Sequence, residues 1–396
     1  VTTFRIAELA VPTDPGASPS WAAEGWAEVG AEHLIAVLGH DDFIDPPRTR
    51  VADYADQKHS AKVVLLAVRG HDGADVLPAT VDGQGAGAEA AHEGAGAETT
   101  RGAVADVVGF AGITMPRTDN THLAMVDLMV RPGARRRGVG EALWRAAEER
   151  VRAAGREVVT TWSSHVHEPP AGHAAAVVAA TGVGAISADD PSARFALAHG
   201  FALEQTDRHS MLALPVDPAA LAGWRAQAAQ AAGEDYRVVQ WADRTPEELL
   251  DGVAVLQRRM STDAPSAGVD LREEVWDAQR VRDTDEAITR TGDRYVLTAA
   301  LHVPTGELAA FTQLMLPAHR KEMVFQYNTL VRADHRGRRL GLLVKAANLQ
   351  LLAQVRPEAR RVHTWNAGEN RYMLAINEQI GFARASIEGA WQRRLG

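Results

Sequence analysis

The stretches RPGARRRGVG, residues 131–140, and RADHRGRRLG, residues 332–341, decide how this chain is read. Each follows a valine that ends an apolar, strand-like run, and each leads into a leucine-bearing run with helical spacing. Each carries Arg at its fifth position and Gly at its tenth. At the start of a helix the first N–H groups have no intrahelical acceptor, and the macrodipole adds about half a positive charge. Glycine permits positive φ and close approach of the backbone to a ligand, while arginine adds a donor fork that fits phosphate. Such a loop predicts a diphosphate cradle. It is neither a GxxxxGK[ST] loop nor a GxGxxG turn, since neither pattern occurs in these stretches.

Outward from the two loops the same order of elements recurs. Before the first loop lie VVLLAVRG (63–70), VADVVGFAGITM (104–115) and HLAMVDLMV (122–130), rich in β-branched and apolar residues and read as strands. After it come a helix at 141–155, a strand at 157–164, a short helix ending in Gly200-Phe201 and a strand at 210–215. An alanine-rich run at 217–236 reads as a helical connector. Then follow a strand at 236–241 and two helices at 245–260 and 271–291, the first with Thr245 as N-cap and Glu248 in capping-box position. A hairpin turns around Pro304-Thr305-Gly306, and a strand at 323–331 enters the second loop. A helix at 340–355, a strand at 360–366 and MLAINEQIGF (373–382) close the copy, with the same Gly-Phe ending. The period is near 200 residues. The expected organisation is an N-terminal domain over 1–215, a connector over 216–234 and a C-terminal domain over 235–396. Residues 71–103, low in large apolar side chains, are expected to be a disordered hairpin insertion.

Composition limits the function. The chain has 396 residues, enough for two cores, with 46 % hydrophobic and 23 % charged residues. A formal net charge of −9 argues against general binding to nucleic acid or a membrane surface, so the arginine clusters need a local purpose. Cysteine is absent, which excludes disulfides, thiolate metal sites and a covalent cysteine intermediate. No run approaches the length of a membrane span, and the expectation is a cytoplasmic protein, monomer or homodimer. His165, His167, Glu168 and His173 are ligand types, but their spacing and the intervening Pro and Gly favour a loop without metal.

Arg135-x-x-Gly138-x-Gly140 resembles the Q/R-x-x-G-x-G/A signature of GNAT N-acetyltransferases, and the whole chain resembles their bacterial tandem type. Arg336-x-x-Arg339-x-Gly341 departs from it at the first glycine. The resemblance extends to MSTDAP (260–265), HTWNAGEN (363–370) and NEQIGF (377–382). It implies an α/β fold of two tandem domains, each a mixed, mostly antiparallel sheet flanked by helices. It implies acetyl-CoA as cosubstrate and direct transfer of acetyl to the amine of a small molecule such as an antibiotic, amino sugar or metabolite. The CoA-binding residues carried over are Leu128, Val130, Arg135, Arg136, Arg137, Gly138, Val139 and Gly140 in the first half. In the second they are Leu330, Val331, Arg336, Gly337, Arg338, Arg339, Leu340 and Gly341, with Asn366 and Asn370 near the pantetheine arm.

The resemblance also locates the catalytic positions. On the strand before the loop the first half offers Leu128, Val126 and Ala124, and the second offers Thr329, Tyr327 and Phe325. The family's general-acid tyrosine is replaced by Ala196 and Asn377. Tyr327, Thr329 and Asn377 therefore make the second half the expected catalytic half, with Asp263 as the carboxylate that accepts the amine proton through water. The first half is then expected mainly to bind CoA. A silent acyl-CoA sensor is the alternative, favoured by the missing base and acid.

Overall fold

The computed structural model describes residues 4–12, 18–70, 80–81, 102–263, 265 and 267–396, and they form two compact units, Val1–Thr161 with Arg393–Gly396, and Trp162–Gln392. Most of the expected insertion at 71–103 lies outside the described residues.

In the first unit the strands are β1 (Phe4–Leu9), β2 (Ser60–Arg69), β3 (Thr80–Val81), β4 (Val107–Pro116), β5 (Leu123–Val130) and β6 (Val158–His165), the last running across the boundary. Their order is β6-β5-β4-β2-β1-β3, antiparallel from β1 through β5. Helices α1 (Trp21–Leu38) and α2 (Pro47–Ala55) cover one face. There Trp26, Val29, Val51, Leu66 and Phe110 form a buried cluster. Helix α3 (Val139–Ala153) lies on the other face, where a Cβ on Gly109 would meet Leu143 at 3.0 Å. Alternate residues of one strand thus serve opposite layers. Ser20 caps α1 by accepting from Ala23 N, and Gly39 ends it at φ 77°. That segment carries no strong periodicity and was not among the elements expected from sequence.

The second unit opens with the short hairpin β7 (Ala176–Val178) and β8 (Ala185–Ser187), helix α4 (Pro191–Ala198) and β9 (Ala202–Ala213). Helix α5 (Pro218–Ala232) and β10 (Tyr236–Ala242) follow. Next are α6 (Leu250–Asp263), α7 (Ala278–Arg290), β11 (Arg294–His302), β12 (Glu307–Leu316) and β13 (Met323–Val331). Helix α8 (Leu340–Val355), β14 (Arg361–Ala367), α9 (Arg371–Ile380) and β15 (Ala383–Arg394) complete it. The strand order within this unit is β10-β11-β12-β13-β14-β9-β15. Helices α6 and α7 pack on one face around Leu256, Val281, Tyr295 and Phe311. On the other, α5, α8 and α9 surround Leu343, Val344, Leu349 and Val362. Helix α8 is buried all round from Leu340 to Leu349, with Lys345 and Asn348 buried among its apolar residues.

The contact boundary at 161/162 falls before the sequence boundary at 215. The reason is β9, which ends the first repeat but pairs with β14 on one side and β15 on the other. Thr245 also differs from expectation. Its N–H and hydroxyl bond Asp285 at 2.9 and 3.4 Å, and α6 is preceded by a 3-10 turn starting after Pro246. The buried carboxylate, not a capping box, holds this corner.

Candidate active sites

Each unit contains a parallel strand pair that pairs only at one end. In the first, Leu123–Met125 of β5 match Val158–Thr160 of β6, and no further pairs follow. In the second, Met323–Phe325 of β13 match Arg361–His363 of β14. Beyond these residues the strands diverge, and each wedge ends at one of the two basic loops. A splayed edge leaves alternate backbone N–H and C=O groups without a strand partner, which fits a ligand that is itself amide-rich.

The two loops share one backbone. Each begins with a 3-10 turn, Pro132–Ala134 or Ala333–His335. Positive φ then occurs at the sixth and eighth positions of both: Arg136 (59°) and Gly138 (83°), Gly337 (82°) and Arg339 (54°). A glycine thus takes one of the two left-handed positions in each loop, but not the same one. The first helical hydrogen bonds are Ala142 N to Gly138 O and Leu343 N to Arg339 O, both at 3.0 Å. The preceding amides are the exposed donors of a helix start.

The arginines divide into tethers and surface charges. Arg135 Nε and Arg336 Nε donate back to Val130 O and Val331 O, each at 3.2 Å. Arg135 also reaches His33 Nδ1 at 3.1 Å, and Arg336 lies 3.9 Å from the Asp263 carboxylate. Arg131 is held by Glu28 at 2.7 Å and by Glu32, and Arg332 by Glu307 and Asp334. Arg136, Arg137 and Arg339 are exposed and make no ion pair among the described residues. Arg338 is exposed too, with its guanidinium 5.9 Å from the Tyr236 ring. Val139 and Leu340 are buried, so they anchor the helix starts and can meet a ligand only through backbone N–H. Gly140 is half-buried, whereas Gly341 is buried where a Cβ would meet Ile376 at 3.0 Å.

In the second unit the expected polar residues are mostly engaged with one another. Thr329 Oγ1 is 2.7 Å from Thr312 Oγ1. Asn377 Nδ2 donates to Asn366 Oδ1 at 2.7 Å, and Asn370 caps α9 by accepting from Met373 N. Asp263 sits beside Arg336 at the loop. Tyr327 is 56 % exposed at the open part of β13, where the ladder to β12 shifts register between Thr312 and Leu314. Leu330 is buried and Val331 packs against the core below α8.

The first unit contains a carboxylate that the strand reading passed over. Asp127 stands on β5 just past the last β5–β6 pair, between Val126 and Leu128. Desolvation of the carboxyl between the strand and α2 pushes its pKa above the ordinary carboxylate range, with the charge of Arg50 opposing. Tyr54 of α2 lies over the neighbouring strand: a Cβ on Gly112, the partner of Asp127 in the ladder, would be 2.4 Å from the Tyr54 hydroxyl. Burial first, then the charge of Asp127, holds the Tyr54 phenol in its protonated form. The corresponding place in the second loop's strand, counting back from Arg135 and Arg336, is Asn328, whose amide donates to Gln257 of α6 at 2.9 Å. A lone charged residue inside HLAMVDLMV was the sequence signal.

His165 bonds Ser163 and lies 3.2 Å from Asp190, while Glu168 pairs with Arg384. No group of three or more His, Cys, Asp or Glu suited to a metal occurs among the described residues. No helix among them is long and apolar enough to cross a membrane.

Residues 83–177 match the model of the Acetyltransferase (GNAT) family. Among solved structures, the chain is similar to a tandem GNAT protein from the clavulanic acid biosynthesis pathway. The identity is 23 %, the TM-score 0.67, and the match covers 100 % of this chain and 99 % of that one. It is also similar to a GCN5-related N-acetyltransferase from Sphaerobacter thermophilus, at 15 % identity and TM-score 0.54, over 99 % of this chain and 96 % of the other. A glucosamine N-acetyltransferase region of a fungal multi-domain β-N-acetylglucosaminidase matches at 13 % identity and TM-score 0.56, over 99 % of this chain and 38 % of that one. At these identities the likeness is one of fold, a tandem GNAT fold with mixed sheets flanked by helices. No curated protein sequence matches the chain.

Proposed function

We propose that this chain, an acetyltransferase of the GNAT family with a tandem GNAT fold, moves an acetyl group from acetyl-CoA to an amine nitrogen of a small molecule. We assign the transfer to the first half and a mainly CoA-binding role to the second. The observation that carries this division is Asp127, an ionisable carboxylate at the first wedge where the second wedge has Asn328.

Acetyl-CoA supplies an activated thioester carbonyl. The residues present suit it: loop amides and the exposed Arg136 and Arg137 for the pyrophosphate, and the unpaired edge of β5 for the amide-bearing arm. An amine acceptor arrives largely as ammonium and must lose a proton before it can attack. Asp127, with its pKa raised by desolvation above the ordinary carboxylate range, is suited to take that proton. Tyr54 stays neutral and can orient the carboxylate or the acceptor by donating its hydroxyl proton. A free N–H on the splayed strand is suited to the developing oxyanion. The thiolate leaves, and its ordinary pKa does not demand a strong acid.

A second reading places transfer in the other half, favoured by Tyr327, the exposed hydroxyl at that wedge, and by the Asn366–Asn377 pair beside it. Thiol release from acetyl-CoA, measured against a panel of amines that includes glucosamine, polyamines and aminoglycosides, tests the function. Amine-dependent release supports it. Tight acetyl-CoA binding with no release for any amine supports a sensor, and absence of binding removes both.

A further inference from the structure

Strand β6 ends in two residues that its place in the sheet does not call for. Ser163 and His165 stand two apart, on one face of the strand, and Ser163 Oγ lies 2.7 Å from His165 Nε2. The other ring nitrogen, Nδ1, lies 3.2 Å from Asp190 Oδ2. Asp190 also caps α4 by accepting from Ser192 N at 2.8 Å. On the far side of the serine, Trp391 Nε1 of β15 donates to Ser163 Oγ at 2.8 Å. All four residues belong to the second unit.

The carboxylate fixes the protons along this chain of contacts. Burial would raise the Asp190 pKa, but the hydrogen bond and charge of His165, with Ser192 adding to them, hold it at about 2. The group is therefore ionised and can only accept. His165 must then carry its proton on Nδ1, which leaves the Nε2 lone pair to accept from the Ser163 hydroxyl. Ser163 Oγ gives that proton, accepts one hydrogen bond from Trp391, and keeps a lone pair. His165 and Trp391 are 6 % and 1 % exposed and held by packing, whereas Ser163 and Asp190 are only half-buried. A Cβ on Gly389 would stand 2.9 Å from Trp391 Nε1, so glycine leaves the indole its room. The second repeat has no such chain. Counted from the first pair of each parallel ladder, Asn366 and Gly368 hold the places of Ser163 and His165, and Asn370 caps α9. The common scaffold therefore does not require it.

We propose that Ser163 is a nucleophile that hydrolyses small acyl esters, with His165 as its base and Asp190 as a positioning residue that holds the imidazole tautomer. Ser163 Oγ attacks the ester carbonyl while its proton passes to His165 Nε2. The bond from the carbonyl carbon to the alcohol oxygen breaks, and the alcohol leaves with that proton. Water then gives a proton to His165 and attacks the acyl-serine; the carboxylic acid departs and Ser163 recovers its proton. Ester and water become acid and alcohol, and nothing is oxidised or reduced. The activity needs neither acetyl-CoA nor an amine, so it stands or falls apart from acetyl transfer.

The test mixes the intact protein, free of CoA and amines, with p-nitrophenyl acetate, follows nitrophenol release, and locates the acetyl group by mass spectrometry after an acid quench. The proposal expects the acetyl group on Ser163 and release at least about 100-fold faster than from Ser163→Ala. Asp190→Asn keeps a side chain able to cap α4 but removes the charge that sets the tautomer, and should slow acylation by about 10²–10⁴-fold. Because the chain has no cysteine, Ser163→Cys introduces a single thiol. Paired with His165, that thiol should react with iodoacetamide well below the ordinary thiol pKa, and adding His165→Gln should remove the advantage. Acetylation confined to other residues, native release by Ser163→Ala, or an ordinary titration of the Ser163→Cys thiol overturns the proposal.

Discussion

Gly138 and Arg339 occupy the same place in two loops and the same left-handed conformation, at φ 83° and 54°, as the residues that cap α3 and α8. Two positions earlier in each loop, Arg136 and Gly337 share the other positive-φ site. The second loop therefore keeps the backbone of the cradle although its signature glycine is lost. The strain falls on a different residue in each loop, because a non-glycine side chain in this region costs roughly 1 kcal/mol.

Arg339→Gly is expected to stabilise the second unit by roughly 0.5–1 kcal/mol, read as a higher denaturation midpoint. Gly138→Val places a β-branched residue at φ 83° and is expected to destabilise the first loop by more than 1 kcal/mol and weaken acetyl-CoA binding there. Calorimetric titration with acetyl-CoA of each variant separates the two loops.

Gly112 should be needed for Tyr54. Gly112→Ala puts a methyl 2.4 Å from the Tyr54 hydroxyl and 3.5 Å from its ring carbon. Overpacking of this kind costs about 1–3 kcal/mol, and removing the hydroxyl with Tyr54→Phe should restore most of it. A double-mutant cycle by thermal denaturation measures the coupling; additive losses would show that Tyr54 does not lie there.

Asp207 and Glu388 face each other across the β9–β15 ladder, seven residues after Gly200 and Gly381 respectively. Burial raises Asp207 to about 6, with the charge of Glu369 adding to it, and raises Glu388 to about 7, with Asp207 adding and Ser164 opposing. Both carboxyls hold protons more tightly folded than unfolded. Their contribution to stability is thus greatest below the unfolded pKa values and is lost as pH rises through the folded ones. Asp207→Asn with Glu388→Gln should leave stability little changed near pH 4 and raise it by of order 1–3 kcal/mol near pH 8. Denaturant midpoints across that range check the sign.

The sequence revealed the repeat because strand, loop and helix of each cradle are local and strongly patterned. Strand β13 and helix α8 occupy 323–331 and 340–355, as their apolar runs predict. The position of β9 between β14 and β15 was not legible, since strand pairing over such separations leaves no periodic mark. Thr245 looked like a cap because its true partner, Asp285, is forty residues away. Asp127 was not legible because the alternation that selects Leu128, Val126 and Ala124 passes over it, while register and splay decide which strand residue meets a ligand.

The central claim is that the first wedge performs the transfer with Asp127 as the base. The direct measurement is the pH profile of amine-dependent thiol release for the native protein, Asp127→Asn and Asn328→Ala. The account predicts a native rate that rises with pH through a pKa above the ordinary carboxylate range. It predicts a loss of about 10²–10⁴ in kcat with a flattened profile for Asp127→Asn, and near-native turnover for Asn328→Ala. Native turnover by Asp127→Asn, or a comparable loss in Asn328→Ala alone, would contradict it.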